Sequence, residues 1–502
     1  MTQTNLAASS ASDLLFNGYD SISAGMLAAS AVTGGTATGG IRKVVNIEVC
    51  ESESELAKAL EIDGSLSVSY LKAANVTAKM EFVQNLNVTA RSVTIVVYAY
   101  YLSGTTTAKK VELADGITAP KDDEELADFA DHYGDSFVSE ASEGAEYYGV
   151  YTFHTETREQ QEELKTSLKA KGVGAGVTVK ADVQAKLSDF LKTTSTNWSF
   201  KQQASGHSGM AMPSQDKLIE FALAFSEKKP DSPVITGFKV MGYERATGMT
   251  RKSFAPVIAN RDYFLGKGGL LLAYARLGGV LNQIAWLKRI YACYNYTGDA
   301  ALLAFETTVK DDLDKIDEQI KAYTNNPTAK QKRPDLPSLA KGEPVLHYAA
   351  GQSESFGGGG GGPFDFMSAG QALSNQVKVA SIRFADGDDV IHQIEVGYVA
   401  QDRTWKTIQG AGGVWRAPLD IERGQFPVHV AIRCDDKNIF GMMVQSSDGN
   451  ETSGGSNKGR LSKWDVPRGA VLLGFAGRSG ALLDQITMKY ATLQPALYVQ
   501  PI

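Results

Sequence analysis

The stretch "YGDSFVSEASEGAEYYGVYTFHT", Tyr133 to Thr155, changes character along its length. It opens as a polar, acidic, helix-like segment and closes as the aromatic and β-branched run "YYGVYTFHT", which reads as a strand. No proline marks the change. A Tyr-Gly step and Gly144 punctuate it instead. Just upstream, "DEELADFADHY" has helical spacing through Leu126, Phe129, Ala130 and Tyr133, and "RSVTIVVYAYYL" is a long strand. This part of the chain therefore reads as α+β.

At 502 residues the chain exceeds what one hydrophobic core usually supports, so two or three domains are expected. Hydrophobic residues at 43% and charged residues at 21% describe a soluble globular protein, and a net charge of -7 with no basic cluster excludes a general nucleic-acid binder. Cys50, Cys293 and Cys434 lie far apart, which allows at most one disulfide and no zinc spacing. No Lys or Arg precedes Arg42 and no continuous apolar run follows the start, so release of a soluble monomer without a Sec signal peptide is expected. The apolar "GGLLLAYARLGGVLNQIAWL" from Gly268 carries Arg276, Asn282 and Gln283, and reads as a core helix rather than a membrane span.

Two composition shifts divide the chain. A helix with apolar positions Val309, Leu313, Ile316, Ile320 and Tyr323 runs into "NNPTAKQKRPDLPSLAKGEP", a Pro- and Lys-rich linker. Beyond "GGGGGGPFDF", short alternating strands such as "KVASIRF", "IHQIEVGYV" and "VHVAIRC" are separated by Gly, Asp and Asn clusters. The division is residues 1–324, a linker at 325–345, and an all-β domain at 346–502.

One segment satisfies two periods. In "VTVKADVQAKLS", Val177, Val179, Ala181, Val183, Ala185 and Leu187 alternate with polar residues. That matches the ~9–11 residues of a tilted transmembrane strand with one face on lipid and one on a watery lumen. Val183, Leu187, Phe190 and Leu191 equally form a helical stripe. Both structures are available to it, as a helix-to-hairpin pore former requires. Glycines 172, 174 and 176 upstream ease rearrangement. Downstream, Trp198 and Phe200 read as interface aromatics or core, while "KQQASG" does not sustain the alternation of a return strand.

The opening stretch resembles the signature of the membrane attack complex/perforin (MACPF) family, with Tyr133, Gly134, Phe137 and Gly144 in register. Ser136 stands where the family usually has His, and Ala145 replaces a second Gly. The early "FNGYD", Phe16 to Asp20, is similar to the family's N-terminal element, and the resemblance covers roughly residues 15 to 320. It implies a bent central antiparallel sheet flanked by two helical clusters. In the family's order, "RSVTIVVYAYYL" is the first strand, residues 104–132 the first cluster, "YYGVYTFHT" the second strand and "VGAGVTV" the third. "DVQAKLSDFLKTTSTNW" is then the second cluster and "ITGFKVMGY" the fourth strand. By resemblance, both clusters unfurl into hairpins lining a pore shared by many copies. The charged "KDDEELADFADH" must then face the lumen or lie beyond the bilayer.

Glycines 357 to 362 before Pro363 resemble the opening of jacalin-like lectins, and "LLGFAGRSGALLDQI" resembles that family's closing motif. The implied fold is a β-prism over about 346–495, with a sugar held by Gly360, Gly361, Gly480 and Asp484. An ionised Asp accepts charge-assisted hydrogen bonds from sugar hydroxyls, and glycines admit the ring to the backbone. Arg478 is left open between a ligand contact and an ion pair.

No catalytic constellation emerges: the six histidines are scattered, and no nucleophile elbow or phosphate loop is present. No metal, no cofactor and no enzyme activity are expected. The expected function is a pore-forming toxin, on the model of insecticidal ones, that meets a lipid or glycan receptor on a target-cell membrane through its β-prism and assembles into a homo-oligomeric ring. The alternative is a non-lytic glycan-binding or adhesion protein retaining the MACPF fold.

Overall fold

A computed structural model describes residues 10–51, 55–56, 59–60, 82–83, 86, 88, 92–155, 158–171, 173, 181–193, 197–400 and 404–500. The chain folds as two compact units. The first comprises Met1–Gln283, Phe305–Glu343 and Gln500–Ile502, and the second Ile284–Ala304 and Pro344–Val499. The sequence division had placed Ile284–Ala304 with the first domain.

Unit 1 is built on an eight-stranded sheet of β1 (Gly18–Asp20), β2 (Gly25–Met26), β3 (Val32–Thr38), β4 (Arg42–Cys50), β5 (Ser92–Leu113), β6 (Ser136–His154), β7 (Asn197–Ser205) and β8 (Val234–Gly242). The long strands β5 and β6 pair with each other; β5 carries two shorter partners, and β6 carries two along its length besides β1 at its start. β4 and β3 lie along successive halves of β5, and β8 and β7 along successive halves of β6. Ladder irregularities fall between Leu102 and Gly104 and between Ser142 and Glu143, near those changes of partner. Such bulges bend a strand.

Both faces of this sheet are buried, which is why "TIVVYAYYL" reads as a continuous apolar run rather than an alternating one. Val93, Ile95, Val97 and Ala99 share a core with Leu164, Leu168, Val183, Leu187, Phe190, Leu218 and Phe225. Val96, Tyr98, Tyr100 and Leu102 point the other way, into a core with Leu56, Leu60, Phe82 and Val83.

Three expectations need correction. Residues 104–113 are not helical but continue β5, because β6 supplies ladder partners as far as Thr107 and β3 from Thr106 to Leu113. The only helix between β5 and the signature among the described residues is Asp123–Tyr133, N-capped by the Asp122 side chain. The acidic "SFVSEASEG" is strand, not helix. Its backbone is paired on both sides, and Glu140 meets Lys239 at 2.7 Å while Glu143 accepts a hydrogen bond from the Ala11 amide. Tertiary pairing here overrides local propensity. The third strand of the ladder is Asn197–Ser205, which contains "KQQAS"; in "VGAGVTV", Val173 is buried and outside any strand, and Gly174–Val179 lie outside the described residues.

Of the two periods read in "VTVKADVQAKLS", this state uses the helical one. Ala181–Thr193 is a helix whose Val183, Leu187 and Phe190 are buried on the sheet, with Ala185 exposed. Val177 and Val179 lie outside the described residues. The segment Ala255–Cys293 is long and apolar enough to cross a bilayer, yet half of its most apolar window is buried, and Leu270, Leu277, Ile284, Leu287 and Ile290 are core.

Unit 2 is all-β apart from short helical segments: three antiparallel sheets of five, five and four strands. Its interior is lined by Phe384, Ile394, Val430, Ile432, Val444, Phe475, Ile486 and Met488. The segment Ile284–Ala304 is tied into it. The Tyr294 hydroxyl lies 2.8 and 2.6 Å from the carbonyl oxygens of Ala372 and Val377, and Asp299 accepts from the amides of Leu302 and Ala496.

Candidate functional site

The four residues read as a sugar site come together at one end of unit 2. Gly362–Asp365 pairs with Ala470–Ser479, which pairs with Leu483–Val499, and the turn between the last two carries Gly480 and leads to Asp484. Phe356–Gly357 pairs with the far side of Leu483–Val499, so the loop 358–361 arches over Asp484. A Cβ on Gly360 would stand 2.5 Å from Asp484 Oδ1, and one on Gly361, at φ +59°, 2.6 Å from Oδ2. Side chains there would fill the space beside the carboxylate. The Gly358 amide donates to the Asp484 carbonyl at 2.8 Å. A Cβ on Gly480 would meet Asp484 Oδ2 at 3.9 Å, in ordinary contact.

Asp484 is half-buried, and its carboxylate accepts no hydrogen bond from the described residues. Gly360, Gly361 and Gly480 are exposed. The arrangement is an acceptor with unused lone pairs beside a bare backbone, which suits adjacent hydroxyls of a ring. Arg478, left open by the sequence between a ligand contact and an ion pair, forms no ion pair among the described residues and is bonded to backbone instead. Its Nε donates to the Gly360 carbonyl at 2.9 Å and its Nη2 to the Gly361 carbonyl at 2.7 Å.

The residues whose pattern resembles a MACPF signature sit where helix passes to sheet in unit 1. Tyr133 ends its helix, and Gly134, at φ +77° and ψ -167°, turns the chain into β6. A Cβ on Gly134 would stand 2.3 Å from the Tyr19 carbonyl oxygen, and one on Gly18 2.2 Å from that of Tyr133, so "FNGYD" and the signature interlock through two glycines. Gly144 lies where β6 exchanges β8 for β7, with its would-be Cβ 2.0 Å from the Tyr101 oxygen. Phe137 is fully buried, 5.4 Å from the Tyr243 ring. Ser136 is buried with its hydroxyl 2.9 Å from that of Ser21.

Beneath the signature lies an ionic cluster that sequence reasoning missed. The Asp135 carboxylate accepts from the amide and hydroxyl of Ser21 and meets Arg261 Nε at 3.0 Å, while Arg261 Nη2 reaches Glu244 at 3.1 Å. Burial and the nearby Asp135 carboxylate push Asp20 up to about 6. These residues are spread from 20 to 261, so no local spacing signals them. All of these contacts join backbone and side chains to each other, and none leaves a group free for chemistry.

The other feature the sequence did not place is the common end of β4 to β7. Cys50 pairs with Thr94, Ser92 with His154, and His154 with Asn197, so these strands begin or end side by side. Residues 51–91 join β4 to β5, and residues 155–196 join β6 to β7. A signal was present in the first connection: Leu66, Val68 and Tyr70 alternate with Ser65, Ser67 and Ser69, and Val76, Ala78, Met80 and Phe82 alternate with Thr77, Lys79 and Glu81. Among the described residues no cluster of three or more metal-ligating side chains occurs.

The jacalin-like lectin domain family matches residues 353–488, so the chain carries a jacalin-like lectin domain there. Among solved structures, a Malaysian banana lectin is 22% identical, covering 29% of this chain and 99% of its own, with a TM-score of 0.25. AcmJRL, a mannose-binding jacalin-related lectin from Ananas comosus, is 16% identical over 29% of this chain and 99% of its own, also with a TM-score of 0.25. Calystegia sepium agglutinin is 18% identical over 29% and 98%, with a TM-score of 0.25. No curated protein matches the chain.

Proposed function

We propose that this chain is a glycan-binding, pore-forming protein: unit 2 holds a target-cell glycan at Asp484, and unit 1, with a MACPF-like fold, inserts two hairpins per copy into the membrane. The observation that carries the pore reading is the alignment of β4, β5, β6 and β7 at one end of the sheet. Extending either connection as a hairpin continues an antiparallel ladder that already exists. Each connection is about 40 residues, so each arm of ~20 residues reaches roughly 65 Å, more than the ~30 Å of a bilayer core. The alternation in both connections provides a lipid face and a polar face. Four strands cannot close a barrel, and open edges are not tolerated in lipid, so insertion requires many copies joined edge to edge. The acidic helix Asp123–Tyr133 lies outside both connections and need not cross. Glycan binding gathers copies on one surface and raises their effective concentration.

The test uses Lys171, just past the helix Arg158–Ala170, and Asp189, on the helix Ala181–Thr193, whose side chains pair at 3.1 Å. A Lys171→Cys/Asp189→Cys variant, in a Cys293→Ser background, is joined by a cleavable bis-maleimide and added to liposomes made from target-cell lipid. Dye release that is blocked by the cross-link and restored on cleavage supports the pore. Binding without release from any membrane leaves a non-lytic glycan-binding protein.

A further inference from the structure

We infer that Arg478 is the positioning residue of the glycan site: it orients the peptide groups of Gly360 and Gly361 so that the loop offers a free amide beside the Asp484 carboxylate. The inference rests on the glycan reading above. The guanidinium is planar, and its forked donors reach two successive carbonyl oxygens at 2.9 and 2.7 Å. The backbone has no cis peptide among the described residues, and in a trans peptide the carbonyl and the following N–H point opposite ways. Holding the Gly360 oxygen toward Arg478 therefore turns the Gly361 N–H away from it. That amide donates to no acceptor among the described residues, and the Asp484 carboxylate next to it is equally unused. One donor and one acceptor are what a pair of neighbouring hydroxyls needs.

The loop requires such a clamp because of its composition. Residues 357–362 are all glycine, the residue with most conformational freedom to lose. At one end the Gly358 amide is tied to the Asp484 carbonyl, and at the other Gly362 enters the ladder opposite Ser479. Between them, around Gly359 no atom lies within 4 Å of where a side chain would begin, and Arg478 supplies the hydrogen bonds to Gly360 and Gly361. Without it, fewer molecules hold the competent loop at any moment, and apparent affinity falls by that fraction.

The experiment compares full-length wild type, Arg478→Ala, Arg478→Lys and Asp484→Ala. Titration calorimetry with methyl α-mannoside and methyl α-galactoside gives affinity, and amide hydrogen exchange at Gly361 and Gly362 in the sugar-free protein gives loop order. Expected are a loss of at least tenfold in affinity for Arg478→Ala, a smaller loss for Lys, which reaches one carbonyl only, and faster exchange in both. Should the Ala variant not fold, the Lys variant decides on the same two readouts. Affinity within twofold of wild type, or affinity lost with exchange unchanged, overturns the positioning role. In either of those cases sugar binding by wild type and its loss in Asp484→Ala keep the glycan reading standing. Absence of wild-type binding to both sugars and to a glycan array overturns the glycan reading and this inference with it.

Discussion

Replacing Gly134 by Ala tests whether the turn between the Asp123–Tyr133 helix and β6 is a backbone requirement. Two costs can be worked out. At φ +77° and ψ -167° the residue occupies a region open essentially to glycine alone, with strain of about 1–3 kcal/mol for any other. The added Cβ would also stand 2.3 Å from the Tyr19 oxygen, 2.4 Å from its carbon and 2.9 Å from the Asp20 nitrogen, all backbone atoms. To clear them, the chain at Tyr19 must move by about an ångström, which breaks the hydrogen bond from the Asp135 amide to the Tyr19 carbonyl at 3.1 Å. Leaving such a buried pair unmade costs a further ~1–3 kcal/mol. The expected loss is about 4 kcal/mol, in the range that marks a specific structural break. Gly116→Ala is the control: Gly116 has φ +83° but no atom within 4 Å of the added Cβ, so strain of about 1–2 kcal/mol acts alone. The assay is urea unfolding of the full chain followed by far-UV circular dichroism. If Gly134→Ala loses no more than 1 kcal/mol beyond Gly116→Ala, the interlock with Tyr19 is not what demands glycine.

Three further outcomes are expected. Arg261→Met strips the cation from fully buried Asp135 and should lower stability by about 3–5 kcal/mol; adding Asp135→Asn should recover part of it, and no recovery would discard the ion pair as the cause. Asp20 has its folded pKa raised from 3.8 to about 6, so its favourable contribution is complete below pH 3.8 and is lost as pH rises through about 6. Asp20→Asn should therefore exceed wild type in stability at pH 7 by on the order of 1 to 3 kcal/mol and converge with it near pH 4; parallel pH profiles would count against the assignment. Asp484→Asn removes the charge behind two hydroxyl hydrogen bonds and should weaken monosaccharide binding roughly 100-fold with unchanged thermal unfolding, as calorimetry and a melting scan will report.

Much of the architecture was legible before any coordinates. Period-two strands and glycine clusters past residue 346 identify the all-β domain, because strand alternation and turn chemistry are local properties. That Gly360, Gly361, Gly480 and Asp484 would lie near one another was legible too, since the glycine run and the Gly480–Asp484 spacing are each short in sequence. What Arg478 does was not, because its acceptors are backbone carbonyls 117 and 118 positions away and carry no side-chain signature.

By itself the sequence determined that there are two kinds of domain and that residues 177–187 can serve two periods. Only the tertiary structure decided that Ala181–Thr193 uses the helical period, that "SFVSEASEG" is strand, and that residues 104–113 continue β5. The reason is physical. A segment with two available periods, or with polar residues tolerable in either, takes the one its neighbours complete: Leu187 finds a core on the sheet, and Glu140 finds β5 and β8 on either side. Those partners come from distant parts of the chain, so their effect exists only once the sheet is assembled.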